Sequence, residues 1–85
     1  DESGRIRSQS LRIKALLAAN RLREAARAAE ELPPLKDMDS DVRIFAVTAA
    51  IAAFSQADRK EDAARMLNEF GKVDPKGRTQ FANTY

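Results

Sequence analysis

The chain has 85 residues, with 15 Lys and Arg against 13 Asp and Glu, and it contains no His, Cys or Trp. The missing residue types exclude a catalytic triad, a thiolate nucleophile, a zinc site of the usual ligands and a disulfide framework. With 44% hydrophobic residues the chain is not disordered by composition, and its length allows one domain at most. Its 16 alanines, beside only 3 Gly and 3 Pro, indicate a small helical protein.

The first predicted helix runs from Ser8 to Asn20 and has two apolar strips when its residues are placed at 100° per step. The larger strip contains Ile6, Ile13, Leu16 and Leu17, and the smaller one contains Leu11, Ala15, Ala18 and Ala19. Four basic residues lie between the strips: Arg5, Arg7, Arg12 and Lys14. Two apolar strips predict a helix that is packed on two sides.

The second predicted helix, Leu22 to Leu32, has one apolar face and one charged face. Pro33 and Pro34 end it, because proline lacks the N–H donor and clashes with the preceding turn. Negative charge and capping residues then precede the next helix: Asp37, Asp39, Ser40 and Asp41.

The third predicted helix runs from Asp41 to about Gln56, and its small face predicts close approach of another helix. That face consists of Ala46, Ala49 and Ala53. A charge-free run of 14 residues, 44–57, falls within this region and is shorter than the ~20 residues that span a bilayer. We therefore expect a buried helix and no membrane span.

The remaining chain predicts a turn at 57–59 with Asp58 as a helix cap, then a helix from Lys60 to Phe70. Gly71 is the candidate C-terminal cap of that helix. Asp74, Pro75 and Gly77 mark the next break, and a fifth helix is expected to start at Thr79.

The two halves of the chain align at a shift of 38 residues. The segment 20–27, NRLREAAR, matches 58–65, DRKEDAAR, with an Arg in the turn and then an acid followed by Ala-Ala-Arg. A period of this length is typical of arrays of α-hairpins.

The matched region resembles the tetratricopeptide and pentatricopeptide repeats. Residues 51–63, IAAFSQADRKEDA, are similar to the pentatricopeptide pattern, while Ala63 with Pro75 twelve residues later, and Phe54 nine residues before, fit the tetratricopeptide pattern. Asn20 and Asp58 stand where both patterns have a turn glycine. The resemblance implies an all-α fold, a short right-handed α-solenoid of two helix–turn–helix repeats with a partial third.

The expected organisation follows from that resemblance. It comprises an N-terminal extension at 1–7, a first hairpin at 8–34, a linker and helix cap at 35–40, a second hairpin at 41–75, and the start of a third repeat or a tail at 76–85.

The net positive charge belongs to the first hairpin, since seven basic residues and one acid lie between Arg5 and Arg27, whereas eight of each sign follow Pro33. Guanidinium groups suit carboxylate and phosphate partners. This surface is a solvated basic face, a site for an acidic protein surface or a nucleic-acid site. The candidate contacts are Arg5, Arg7, Arg12, Lys14, Arg21 and Arg23.

The function expected from these residues is a non-catalytic helical-repeat scaffold that binds protein, alone or within a larger assembly. The alternative is an RNA-binding pentatricopeptide segment of a longer array, in which the resemblance makes Ser10 and Thr48 the base-reading positions. We expect no catalytic residue, no cofactor, no metal site and no small-molecule substrate. The sequence assigns no compartment beyond a soluble protein of cytoplasm or organelle.

Overall fold

Helices account for almost all of the chain, as the composition predicts. A computed structural model describes the backbone of residues 2–84 and the side chains of residues 2–80. Its helices are α1 (Glu2–Ala18), α2 (Leu22–Glu30), α3 (Ser40–Gln56), α4 (Lys60–Val73) and α5 (Pro75–Thr84), with a short 3-10 turn at Leu35–Asp37. No strand occurs within 2–84, so the all-α class is confirmed.

Helix α3 is the centre of the molecule. It packs against α1, α2 and α4, while α1 also packs against α2, and α5 packs against α4. The helices form a compact body with extents of 32 × 30 × 19 Å.

The core consists of two clusters, one at each end of α3. The first cluster joins α1, α2 and α3 through Ile13, Ala25, Ala26, Ala29, Ala49, Ala50, Ala53 and Phe54. The second adds the 3-10 turn and α4 through Ile6, Leu35, Met38, Val42, Ala46, Val47 and Phe70. The alanines predicted to admit a neighbouring helix, at 46, 49 and 53, are all buried, which confirms that prediction.

Two turns of the same geometry connect α1 to α2 and α3 to α4. Asn20 has φ of 60° and Asp58 has φ of 61°, the left-handed conformation that ends many helices. The N–H of Arg21 donates to the carbonyl of Leu16 at 2.8 Å, and 38 residues later the N–H of Arg59 donates to the carbonyl of Phe54 at 2.7 Å. Asp58 therefore ends α3 and does not cap α4, contrary to the sequence-based prediction.

Three predicted helix boundaries differ from those observed. Helix α1 begins at Glu2 and not at Ser8, since Ile6 is buried in the second cluster and the turns around it are helical. Helix α2 ends at Glu30, before the residue that precedes Pro33, where helical backbone is disfavoured. Helix α4 continues through Gly71 to Val73, so Gly71 is not a cap; its φ is not positive.

The break between α4 and α5 is one residue, Asp74. Its carboxylate accepts a hydrogen bond from the N–H of Gly77 at 3.0 Å, and Pro75 occupies the first helical position, where proline is favoured. Helix α5 therefore starts four residues before the predicted Thr79.

Candidate functional site

The outer face of α1, formed by Ser8, Leu11, Ala15 and Ala18, is apolar or small and is exposed. Leu11 is 57% exposed and is the large hydrophobic residue that stands out on the described surface. The opposite face of α1 carries Ile6 and Ile13 into the core. The prediction that both strips of this helix are packed thus holds for one strip only.

The corresponding face of α3 is covered. A shift of 38 residues takes Ser8, Leu11 and Ala15 to Ala46, Ala49 and Ala53, each of which is at most 1% exposed. Ala49 and Ala53 lie in one cluster with Ile13 and the alanines of α2, so the first hairpin covers this face of α3. The two faces have equivalent positions and similar small side chains, and they differ in whether a helix lies on them.

Basic residues border the outer face of α1 on both edges. At 100° per residue, Arg7 and Lys14 lie on one edge and Arg5 and Arg12 on the other. Arg7 Nη2 is 3.7 Å from an Asp41 carboxylate oxygen, and both side chains are exposed. Lys14 Nζ lies 4.4 Å from the centre of the Phe45 ring, which orients its ammonium by a cation–π contact.

The two other predicted contact residues, Arg21 and Arg23, are exposed but lie apart from this face. Arg21 belongs to the first turn and its Nη2 is 2.7 Å from a carboxylate oxygen of Glu24, one helical turn further. Arg23 projects from the charged face of α2. The structure therefore brings four of the six predicted basic contacts together on one helix.

Ser10 and Thr48, the predicted base-reading positions, both turn their hydroxyls to their own helix. Ser10 is fully buried, and its Oγ donates to the carbonyl of Ile6 at 2.9 Å. The Oγ1 of Thr48 donates to the carbonyl of Ile44 at 2.8 Å in a half-buried setting. A nucleobase would have no access to Ser10 in this arrangement.

A groove of about 460 Å³ lies between the C-terminal end of α2 and α4. Arg59 occupies it, with hydrogen bonds to Glu30 and, at 2.8 Å, to Asp62, and its guanidinium lies 5.1 Å from the centre of the Phe54 ring. The bond to Glu30 raises the pKa of Arg59; desolvation opposes this rise, and Asp62 adds to it. These charges are paired with one another and join the two hairpins.

Arg43 is a residue whose role sequence reasoning missed. Its guanidinium donates to the carbonyl of Leu35 at 2.9 Å and to that of Met38 at 2.6 Å, and it lies 3.6 Å from Asp74. It thereby ties the 3-10 turn to the junction of α4 and α5. No short-range pattern signals this role, because its partners are carbonyls and a distant carboxylate.

Comparison with known proteins adds no relative: no family model, curated protein or solved structure matches the chain. Among residues 2–84, none of the helices combines the length and apolar character required to cross a bilayer. Over the same residues, no three acidic side chains are grouped so that they could hold a metal ion.

Proposed function

We propose that this chain is a non-catalytic helical-repeat scaffold that binds a helical element of another protein on the outer face of α1, alone or as a component of a larger assembly. The observation that carries the proposal is the exposed outer face itself. On α3 the equivalent face is buried under two helices, whereas on α1 it presents Leu11 to solvent. Burial of such apolar surface is the main favourable contribution to protein association.

The repeat geometry supports a short right-handed solenoid of two hairpins, with α5 as the start of a third. The turns at Asn20 and Asp58 have the same φ, and both sets of hydrogen bonds recur at the 38-residue shift. Hairpins related in this way stack on neighbours of their own kind and leave the face of the terminal helix open. RNA binding has weaker support, since the hydroxyl of Ser10 is buried.

Site-specific photocrosslinking tests the proposal. Leu11 is replaced by a benzophenone amino acid, and the matched control carries the same group in place of Arg27, which is exposed on α2. In cells that express the full chain, we expect a discrete adduct from position 11 that is absent from position 27. The partner identified by mass spectrometry is then purified, and we expect Leu11→Asp to weaken its binding by about tenfold or more.

Absence of an adduct specific to position 11 would contradict the proposal. So would equal affinity of the Leu11→Asp variant and the parent chain for the purified partner. Circular dichroism checks that both variants retain helical structure, as expected for substitutions at exposed positions.

A further inference from the structure

The edges of the outer face of α1 distinguish it from the corresponding face of α3. At the 38-residue shift Arg12 and Lys14 correspond to Ala50 and Ala52, and Ala50 is fully buried beneath the first hairpin. A helix that covered α1 as α2 covers α3 would bring alanines onto two cations. Desolvating a charge without a partner is costly, so whatever covers α1 must supply carboxylates at the edges.

The positions of the cations also fix where those carboxylates lie. Arg5 and Arg12 are seven residues apart on one edge, and Arg7 and Lys14 are seven residues apart on the other. Seven residues of helix correspond to about 10.5 Å along the axis. A second helix that runs along α1 therefore matches the pattern with acids repeated at seven-residue spacing on both sides of an apolar ridge.

We infer that the outer face of α1 takes an acidic amphipathic helix of a partner protein, with its apolar ridge on Leu11 and Ala15 and its carboxylates on the four cations at the edges. The inference rests on the proposed function and specifies its partner. The small side chains of Ser8 and Ala15 let the two helices approach closely.

A second copy of the chain is a poor occupant. Two α1 helices laid face to face would oppose like charges along both edges, which repel. A nucleic acid matches the charge but not the apolar centre, and no aromatic side chain within α1 offers a stacking surface for bases. A carboxylate-bearing helix satisfies both the exposed leucine and the basic edges.

Peptide binding by the full chain tests this inference. The probe is a labelled helical peptide of about 22 residues, with Leu at the a and d heptad positions and Glu at the e and g positions. Two matched peptides carry Gln or Lys in place of every Glu. In fluorescence anisotropy, we expect the Glu peptide to bind at least about tenfold more tightly than the Gln peptide, and its affinity to fall as salt rises.

Charge reversal on the chain provides the complementary test. Arg5→Glu combined with Arg12→Glu is expected to weaken the Glu peptide by about tenfold and to create binding of the Lys peptide. The control, Lys72→Glu with Lys76→Glu, makes the same change of charge at exposed positions outside α1 and should alter neither peptide's affinity.

The outcomes separate this inference from the function on which it rests. Equal binding of the Glu and Gln peptides would overturn the acidic partner, while the docking face would stand if Leu11→Asp abolished both. No binding of the Glu peptide would overturn the inference even where crosslinking at position 11 succeeds. Tighter binding of single-stranded RNA than of the Glu peptide, lost on reversal at Arg5 and Arg12, would replace the protein partner with a nucleic acid.

Discussion

Asn20 and Asp58 each reverse the chain direction at a single residue with a positive φ. Most L-residues avoid this conformation because Cβ crowds the neighbouring carbonyl, and Asn and Asp tolerate it better than other non-glycine residues. The hydrogen bonds that follow, from Arg21 and Arg59 back to the helix just ended, require this conformation. Each turn is therefore formed at some cost in backbone strain.

We expect Asn20→Gly and Asp58→Gly each to raise the free energy of unfolding by about 0.5–1 kcal/mol, because glycine adopts positive φ without a steric penalty. Urea unfolding followed by circular dichroism measures the change. The matched control is Ser55→Gly, at an exposed position within α3, which should lower the free energy of unfolding by about the same amount. Destabilisation by all three glycines would show that the turns are not strained.

Sequence reasoning located both turns, because the match of 20–27 with 58–65 and the departure from glycine are visible in the residue types. It assigned Asp58 to the wrong helix, since an Asp is favoured both at a helix N-terminus and in the left-handed conformation, and only the backbone distinguishes them. It could not find Arg43, whose three partners are brought together only when the chain folds.

Among the helices, α4 and α5 meet at a junction where glycine has two different roles. Gly71 lies inside α4, and a methyl group there would meet the Cδ of Arg78 at 2.8 Å. At Gly77 a methyl group would meet the Asp74 carboxylate, with its Cγ at 2.8 Å, and the Phe70 ring at 3.1 Å. The exposed Arg78 side chain can move aside, whereas Asp74 is fixed by its bond to Gly77 and by Arg43.

We therefore expect opposite effects from the same substitution at these two positions. Gly71→Ala should raise the free energy of unfolding by about 0.5–1 kcal/mol, because alanine is the better helix former. Gly77→Ala should lower it by about 1–2 kcal/mol, since it displaces the cap of α5. Thermal and urea unfolding of the two variants provide the comparison, and equal changes at both positions would refute the structural distinction between them.

The helices themselves follow well from the periodicity of their apolar residues, and their ends follow less well. Gly71 looked like a stop because glycine is common after a helix, but the residues around it continue to bury Phe70 and partly bury Val73, and this packing outweighs the local preference. The outer strip of α1 could be recognised from sequence, but its exposure could not, because burial depends on which helices are present to cover it.

For the whole molecule, the central position of α3 implies an uneven distribution of stability. Three helices cover α3, whereas α5 packs mainly on α4. Native proteins open locally where few buried contacts hold an element in place, and the best-covered elements open only on global unfolding.

We expect native-state hydrogen exchange to show this gradient. Amides in the middle of α3 should exchange only through global unfolding, and amides of α5 should exchange at least about tenfold faster. Exchange followed residue by residue by NMR at low denaturant measures both. Equal protection of α3 and α5 would mean instead that the five helices unfold as one cooperative unit.

The charge-free part of α3 also affects how the chain survives in a cell. Residues 44–57 carry no charged group, and in the folded state the neighbouring helices cover most of them. Once the hairpins separate, this segment becomes the most attractive part of the chain for chaperones and for aggregation. A partner that holds the first hairpin in place would thus extend the lifetime of the protein as well as engage it.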